Sequence, residues 1–224
     1  MNRRDLLIRR ASGKALGDTP NSTCSPCNVG NVGRFSNGVL LTHENKQVKF
    51  YDDLIRGRQV IVNFMYASCT GACPLITEKL IQVHKALKDR MGEDLFMYSL
   101  TLYPEQDDPA TLKNFAQMHG ALLPGWTFLT GDPYDLETIR YRLFRENHIK
   151  FDLSKGFHAA QLRIINDARN LWAHVSPNAS LETILKHISW LDPPKSLEEI
   201  REENKILQEK IDADIKLHGY RRTV

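Results

Sequence analysis

The chain has 224 residues, a formal net charge of +3, and apolar and charged fractions of 42% and 25%. These totals are ordinary for a chain that buries one full core. So small a positive excess, with no basic run interleaved with aromatic residues, excludes a nucleic-acid-binding reading. No stretch of about 18 apolar residues occurs, so the sequence offers no membrane-spanning helix.

The first segment, Asn2-Arg3-Arg4-Asp5-Leu6-Leu7-Ile8, is similar to the twin-arginine start of an export signal. Arg9-Arg10-Ala11-Ser12-Gly13-Lys14 stands where an apolar h-region should follow, so the signal is incomplete. Residues 1–37 are rich in Gly, Asn, Ser and Arg and lack an apolar period, which predicts a disordered tail. Cys24-Ser25-Pro26-Cys27 falls within it. A C-x-x-C on such a segment lacks the strand–helix setting that tunes a redox pair, so an incidental or auxiliary role, such as holding a metal or forming a local disulfide, is expected for Cys24 and Cys27.

From Val39 the pattern becomes regular. Residues 39–42 and 47–50 predict a hairpin, 59–66 a buried strand, 74–90 a helix and 95–101 a second strand. Asp108-Pro109 and Asp132-Pro133 each place a capping carboxylate before a proline at the first helical position, predicting helices that follow them, with a short strand at 126–129 between. Residues 161–165 and 170–175 form a second hairpin, and Ser180 caps a helix to Trp190. Strands and helices that alternate early, with a hairpin late, predict an α/β fold with a mixed sheet over residues 38–192. Beyond Pro193-Pro194, residues 193–224 predict a helical extension in which Leu197, Ile200, Asn204, Leu207 and Ile211 recur at alternating spacings of three and four. Packing back on the domain is the simpler expectation for so short a seam, and weak self-association is the alternative.

The chemistry lies in Cys69-Thr70-Gly71-Ala72-Cys73-Pro74. A buried strand that breaks at a turn and opens a helix sets both thiols at a helix N-terminus, where unpaired N–H groups and the helix dipole favour thiolate. Three intervening residues put the sulfurs about one turn apart on one side. That spacing suits either an intramolecular disulfide or two ligands to one metal ion. Two buried packing cysteines would be the bland explanation, but the adjacent Pro74 and the helix start make it the poorer one.

Three segments together resemble the Sco/SenC proteins of cytochrome c oxidase assembly over residues 33–191. They are Phe64-Met65-Tyr66-Ala67-Ser68-Cys69-Thr70-Gly71-Ala72-Cys73-Pro74; Leu102-Tyr103-Pro104-Glu105-Gln106-Asp107-Asp108-Pro109; and His158 ahead of Gln161-Leu162-Arg163-Ile164-Ile165. The resemblance implies a thioredoxin-like fold with a C-terminal helical extension. It implies Cu(I) or Cu(II) held by Cys69, Cys73 and His158, and delivery to the copper-site subunit of the oxidase or another cuproprotein. A periplasmic or membrane-associated location is implied as well. Two thiolates and an imidazole form a soft, low-coordination set that suits copper and not Mg²⁺ or Ca²⁺. The sequence departs from the family's usual pattern at Tyr103, where Asp is usual, and at Phe157 and Ala159, which flank His158 where Asp and Ser or Thr are usual. Without those flanking groups to orient the imidazole, a metal affinity lower by about 10–100-fold is expected.

The competing reading is an enzyme, a thiol–disulfide oxidoreductase in which Cys69 attacks, Cys73 resolves and His158 takes no essential part. Other candidates are weaker. His84 is expected to be exposed on the helix after the motif, His119 to end a helix, and His174 to pack within a strand. Asp107 and Asp108 read as capping residues, and Trp126 and Trp172 as core.

Overall fold

Val60-Ile61-Val62 is apolar on both sides of the chain, which fits a strand covered on both faces, and it lies near the centre of the sheet. The computed structural model describes residues 35–144 and 161–218. Its strands are β1 (Val39–Thr42), β2 (Gln47–Lys49), β3 (Gln59–Met65), β4 (Leu95–Thr101), β5 (Trp126–Gly131), β6 (Leu162–Asn166) and β7 (Leu171–Val175). They form one sheet in the order β2-β1-β5-β4-β3-β6-β7. The β3–β4 and β4–β5 pairs are parallel, with Ile61 opposite Met97 and Ser99 opposite Phe128. The outer pairs are antiparallel, including β3–β6 with Ile61 opposite Ile164. The helices are α1 (Ala72–Ala86), α2 (Pro109–Met118), α3 (Pro133–Leu143), α4 (Leu181–Leu191) and α5 (Leu197–His218).

Alternation along the strands divides the core into two layers. Ile61, Met65, Met97 and Phe128 face one way and pack with Ile76 and Leu80 of α1, Phe115 of α2 and Ile184 of α4. Val60, Val62, Tyr98 and Leu100 face the other way, against Leu136 and Ile139 of α3 and Phe50 and Ile55. The last two come from a single π-helical turn, Phe50–Ile55, which the sequence pattern did not suggest. A buried polar chain crosses the first layer: Trp126 Nε1 donates to Ser99 Oγ at 2.9 Å, and Ser99 donates to Asn63 Oδ1 at 2.7 Å. Polar groups this deep are tolerated because each has a partner.

Both caps read from Asp-Pro pairs form as expected, with Asp108 accepting from the Thr111 amide and Asp132 from the amides of Tyr134 and Asp135. Ser180 accepts from the Thr183 amide at the start of α4. Helix α1 starts two residues earlier than predicted and takes in Cys73. Phe35, within the segment read as tail, is buried and stacks on Tyr51 at 6.0 Å.

Helix α5 does not pack back on the domain. Every side chain described along it is exposed. Among the described residues no helix is long and apolar enough to cross a membrane.

Candidate functional site

Strand β3 ends where the Leu102 amide donates to the Met65 carbonyl, and the chain then turns through residues 66–71 into α1. The turn is tight: the Cys69 amide donates to the Tyr66 carbonyl at 3.3 Å. Gly71 is the N-cap of α1 and offers no side-chain acceptor to the first turn. Cys69 fills that role, because the Cys73 amide donates to its sulfur at 3.4 Å. An anionic acceptor at this position is favoured by both the orphan amide and the helix dipole. Both cysteines are buried and free of disulfide bonds.

The two sulfurs differ in proton affinity. Burial alone would push the Cys69 thiol up, but the Cys73 amide, the Cys73 thiol, the Gly71 amide and the Tyr66 hydroxyl all donate to it and hold it below the ordinary cysteine value. Cys73 is pushed up to about 12, first by burial, then by its bond to the Cys69 sulfur and the negative charges of Cys69 and Asp107. Tyr66 is likewise raised to about 12, because its hydroxyl donates to Cys69 and is partly desolvated. The expectation that the helix start favours thiolate at both positions therefore needs correction. The available donors lower the proton affinity of one sulfur, while burial beside it raises that of the other.

Asp107 departs from the capping role expected of it. It caps no helix: its buried carboxylate accepts from the Ala67 amide at 3.0 Å and from the Thr101 hydroxyl at 2.5 Å. It thus pins the turn before Cys69 to the end of β4. Tyr103 packs edge-on to Tyr66 with ring centroids 4.8 Å apart, which fixes the ring whose hydroxyl reaches Cys69. Sequence could have hinted at Asp107 only through the two adjacent carboxylates, since one cap needs one.

His158, Cys24 and Cys27 lie outside the described residues, as does the segment 2–14. Among the described residues, Cys69 and Cys73 are joined by no third His, Cys, Asp or Glu in a metal-sized group. His84 is not exposed; it is buried, and its Nε2 lies 2.8 Å from the Pro124 carbonyl. His119 ends α2 as expected and packs on Phe115 at 4.4 Å. His174 is on β7 but exposed, not packed. Trp126 is core, while Trp172 is partly buried against Phe35. A cleft of about 670 Å³ lined by His43, Lys46, Arg58 and Trp126 opens at the N-terminal ends of the parallel strands, away from the thiols.

With this geometry, the SCO1/SenC family model matches residues 36–191. The chain belongs to the SCO1/SenC family. It is 31% identical over 77 residues to the SCO1 protein homolog of Bacillus subtilis (strain 168), a match that covers 34% of this chain and 39% of that protein. The chain thus spans about two fifths of the curated relative it matches. Its fold is similar to that of BsSco, a member of the Sco family of cytochrome c oxidase assembly proteins in which a disulfide switch was identified. The TM-score is 0.58 at 20% identity, covering 70% of this chain and 93% of that one. It is also similar to Arabidopsis thaliana ScoI with copper bound, with a TM-score of 0.54 at 18% identity, covering 73% and 96%. The mixed sheet flanked by helices is thus the thioredoxin-like fold of Sco proteins, here followed by α5.

Proposed function

We propose that this Sco-family chain carries a copper ion on the sulfurs of Cys69 and Cys73 and the imidazole of His158. It delivers the ion to the copper-site subunit of cytochrome c oxidase or a related cuproprotein, outside the cytoplasm. The observation that carries the reading is the pair of free thiols one helical turn apart, with the Cys69 sulfur already holding the first amide of α1. Copper is cargo here, and the donor set suits it: thiolates and an imidazole are soft ligands, and a site of three can release its ion by ligand exchange. Relatives support the assignment, since the Arabidopsis protein of the same fold holds copper and BsSco belongs to a family of oxidase assembly proteins.

The protein's own part in loading is a proton step. Cys69 is the ready ligand, whereas Cys73 enters only after its proton leaves for solvent. Each copper bound therefore releases a proton from Cys73, and affinity rises with pH. Anaerobic Cu(I) titration of the reduced chain tests this reading, with Cys69→Ala, Cys73→Ala and His158→Ala as variants. One copper per chain is expected for wild type, none for either cysteine variant and weaker binding for His158→Ala.

The split between the sulfurs also favours dithiol exchange at the same pair. The Cys69 thiolate attacks one sulfur of a substrate disulfide, and the other sulfur leaves as thiolate. Cys73 then loses its proton and attacks the Cys69 sulfur, releasing the substrate as a dithiol and leaving a Cys69–Cys73 disulfide. Two electrons pass to the substrate in this sequence. Turnover of this kind is expected to be indifferent to His158→Ala, which separates it from copper carriage.

A further inference from the structure

The C-terminal helix presents an apolar stripe that its own domain leaves uncovered. Leu197 is 72% exposed and Leu207 55%, with Ile200, Ile211 and Ile215 also exposed along the same stripe. A helix of 22 residues with every described side chain in solvent gains nothing from tertiary packing, the usual source of helical stability. The stripe needs a cover, and its pattern specifies one. Leu197, Ile200, Asn204, Leu207 and Ile211 occupy successive a and d positions of a heptad.

We propose that α5 pairs with α5 of a second copy as a parallel, in-register, two-stranded coiled coil. Asn204 decides both occupant and direction. An amide within an apolar seam is costly unless it meets another hydrogen-bonding group. An identical helix in parallel register supplies one automatically, because Asn204 then faces Asn204 of the second copy and each amide can donate and accept. In the antiparallel alignment Asn204 faces Leu207 and Asp214 faces Leu197, so two polar groups oppose apolar ones. Ile211 at a beside Leu207 at d fits two parallel strands, whereas Leu197 at a beside Ile200 at d is the order of larger bundles, so the choice of two strands rests on the single Asn204 at a. The seam ends at Asp214, a d position where two carboxylates would meet, so it covers little more than two heptads and the association is weak. Helix α5 as a whole carries more acidic than basic side chains, and its stripe has no basic excess, which disfavours an anionic membrane as the cover.

The test uses the full chain, kept reduced, in sedimentation equilibrium across a range of protein concentrations. A concentration-dependent monomer–dimer equilibrium is expected. Leu207→Glu puts a charge into the seam of each copy and weakens it by more than about 100-fold. That variant leaves the alkylation rate of Cys69 unchanged, which shows that the domain has folded. Direction is read with Asp214→Cys under mild oxidation. In the parallel pair the introduced thiols face each other and join, identified as a cross-linked 214–214 peptide by mass spectrometry. In the antiparallel pair they lie about 25 Å apart along the axis and do not join. A monomer at every concentration, a dimer indifferent to Leu207→Glu, or a dimer without the 214 cross-link would each overturn the proposal.

Discussion

The Cys73 amide points at the Cys69 sulfur, 3.4 Å away, so one cysteine caps the helix that carries the other. This bond, with those from Gly71 and Tyr66, gives Cys69 an acidic character that the more deeply placed Cys73 lacks. Under the proposed function, attack and metal entry would both begin at Cys69. Iodoacetamide at neutral pH is expected to modify Cys69 well before Cys73, as read by peptide mass spectrometry after a time course. Tyr66→Phe removes one donor to the thiolate, worth about 1.5 kcal/mol, and should slow that alkylation by up to about tenfold. Equal rates for the two cysteines would contradict the assignment.

Cys73 also makes stability depend on alkaline pH. Its folded value is raised from 9.0 to about 12, so between those limits the unfolded chain loses a proton that the folded chain keeps. The unfolded state then binds fewer protons, and unfolding free energy falls as pH rises. The contribution is fully present below pH 9 and is lost as pH climbs toward about 12. Urea midpoints from pH 8 to 11 should fall more steeply for wild type than for Cys73→Ala.

Asp107 holds the turn before the first cysteine by accepting from the Ala67 amide and the Thr101 hydroxyl. Asp107→Ala strands the buried Thr101 hydroxyl and the partly buried Ala67 amide and is expected to cost about 1–3 kcal/mol in chemical unfolding. It also takes a negative charge away from Cys73, so alkylation of Cys73 should become faster relative to wild type. Loss of stability without any change at Cys73 would separate bracing from electrostatics.

Elsewhere the fold depends on a close approach of two glycines. A Cβ on Gly125 would lie 2.3 Å from the Gly92 nitrogen, and Gly125 has a φ of +71°. Gly125→Ala should therefore destabilise by more than about 1 kcal/mol while leaving the relative reactivity of the two cysteines unchanged. A melting temperature equal to wild type would show that the two segments can part freely.

Much of this was legible in the sequence because it rests on local rules. Asp108-Pro109, Asp132-Pro133 and Ser180 announced three helix starts, and the apolar run at Val60 announced a buried strand near the centre of the sheet. Cys69 and Cys73 stood out because a helix start has few ways to use two thiols. What stayed hidden depended on long-range partners. His84 looked like a surface residue until β5 brought the Pro124 carbonyl to it. Asp107 resembled a cap because nothing in its own segment reveals the Ala67 amide 40 positions away. The unequal sulfurs could not be read from spacing, since that asymmetry comes from burial and from donors that one sulfur takes first. The π-helical turn at Phe50–Ile55 carries no period of its own and is fixed by packing against α3 and β6.

The most direct measurement is Cu(I) bound per chain after anaerobic loading of the reduced protein and desalting, with the protons released counted alongside. One copper retained per chain, with proton release that vanishes in Cys73→Ala together with the metal, is the predicted result. Protein that emerges free of copper, with both thiols intact and reactive, would contradict copper carriage and leave dithiol exchange as the function of the pair.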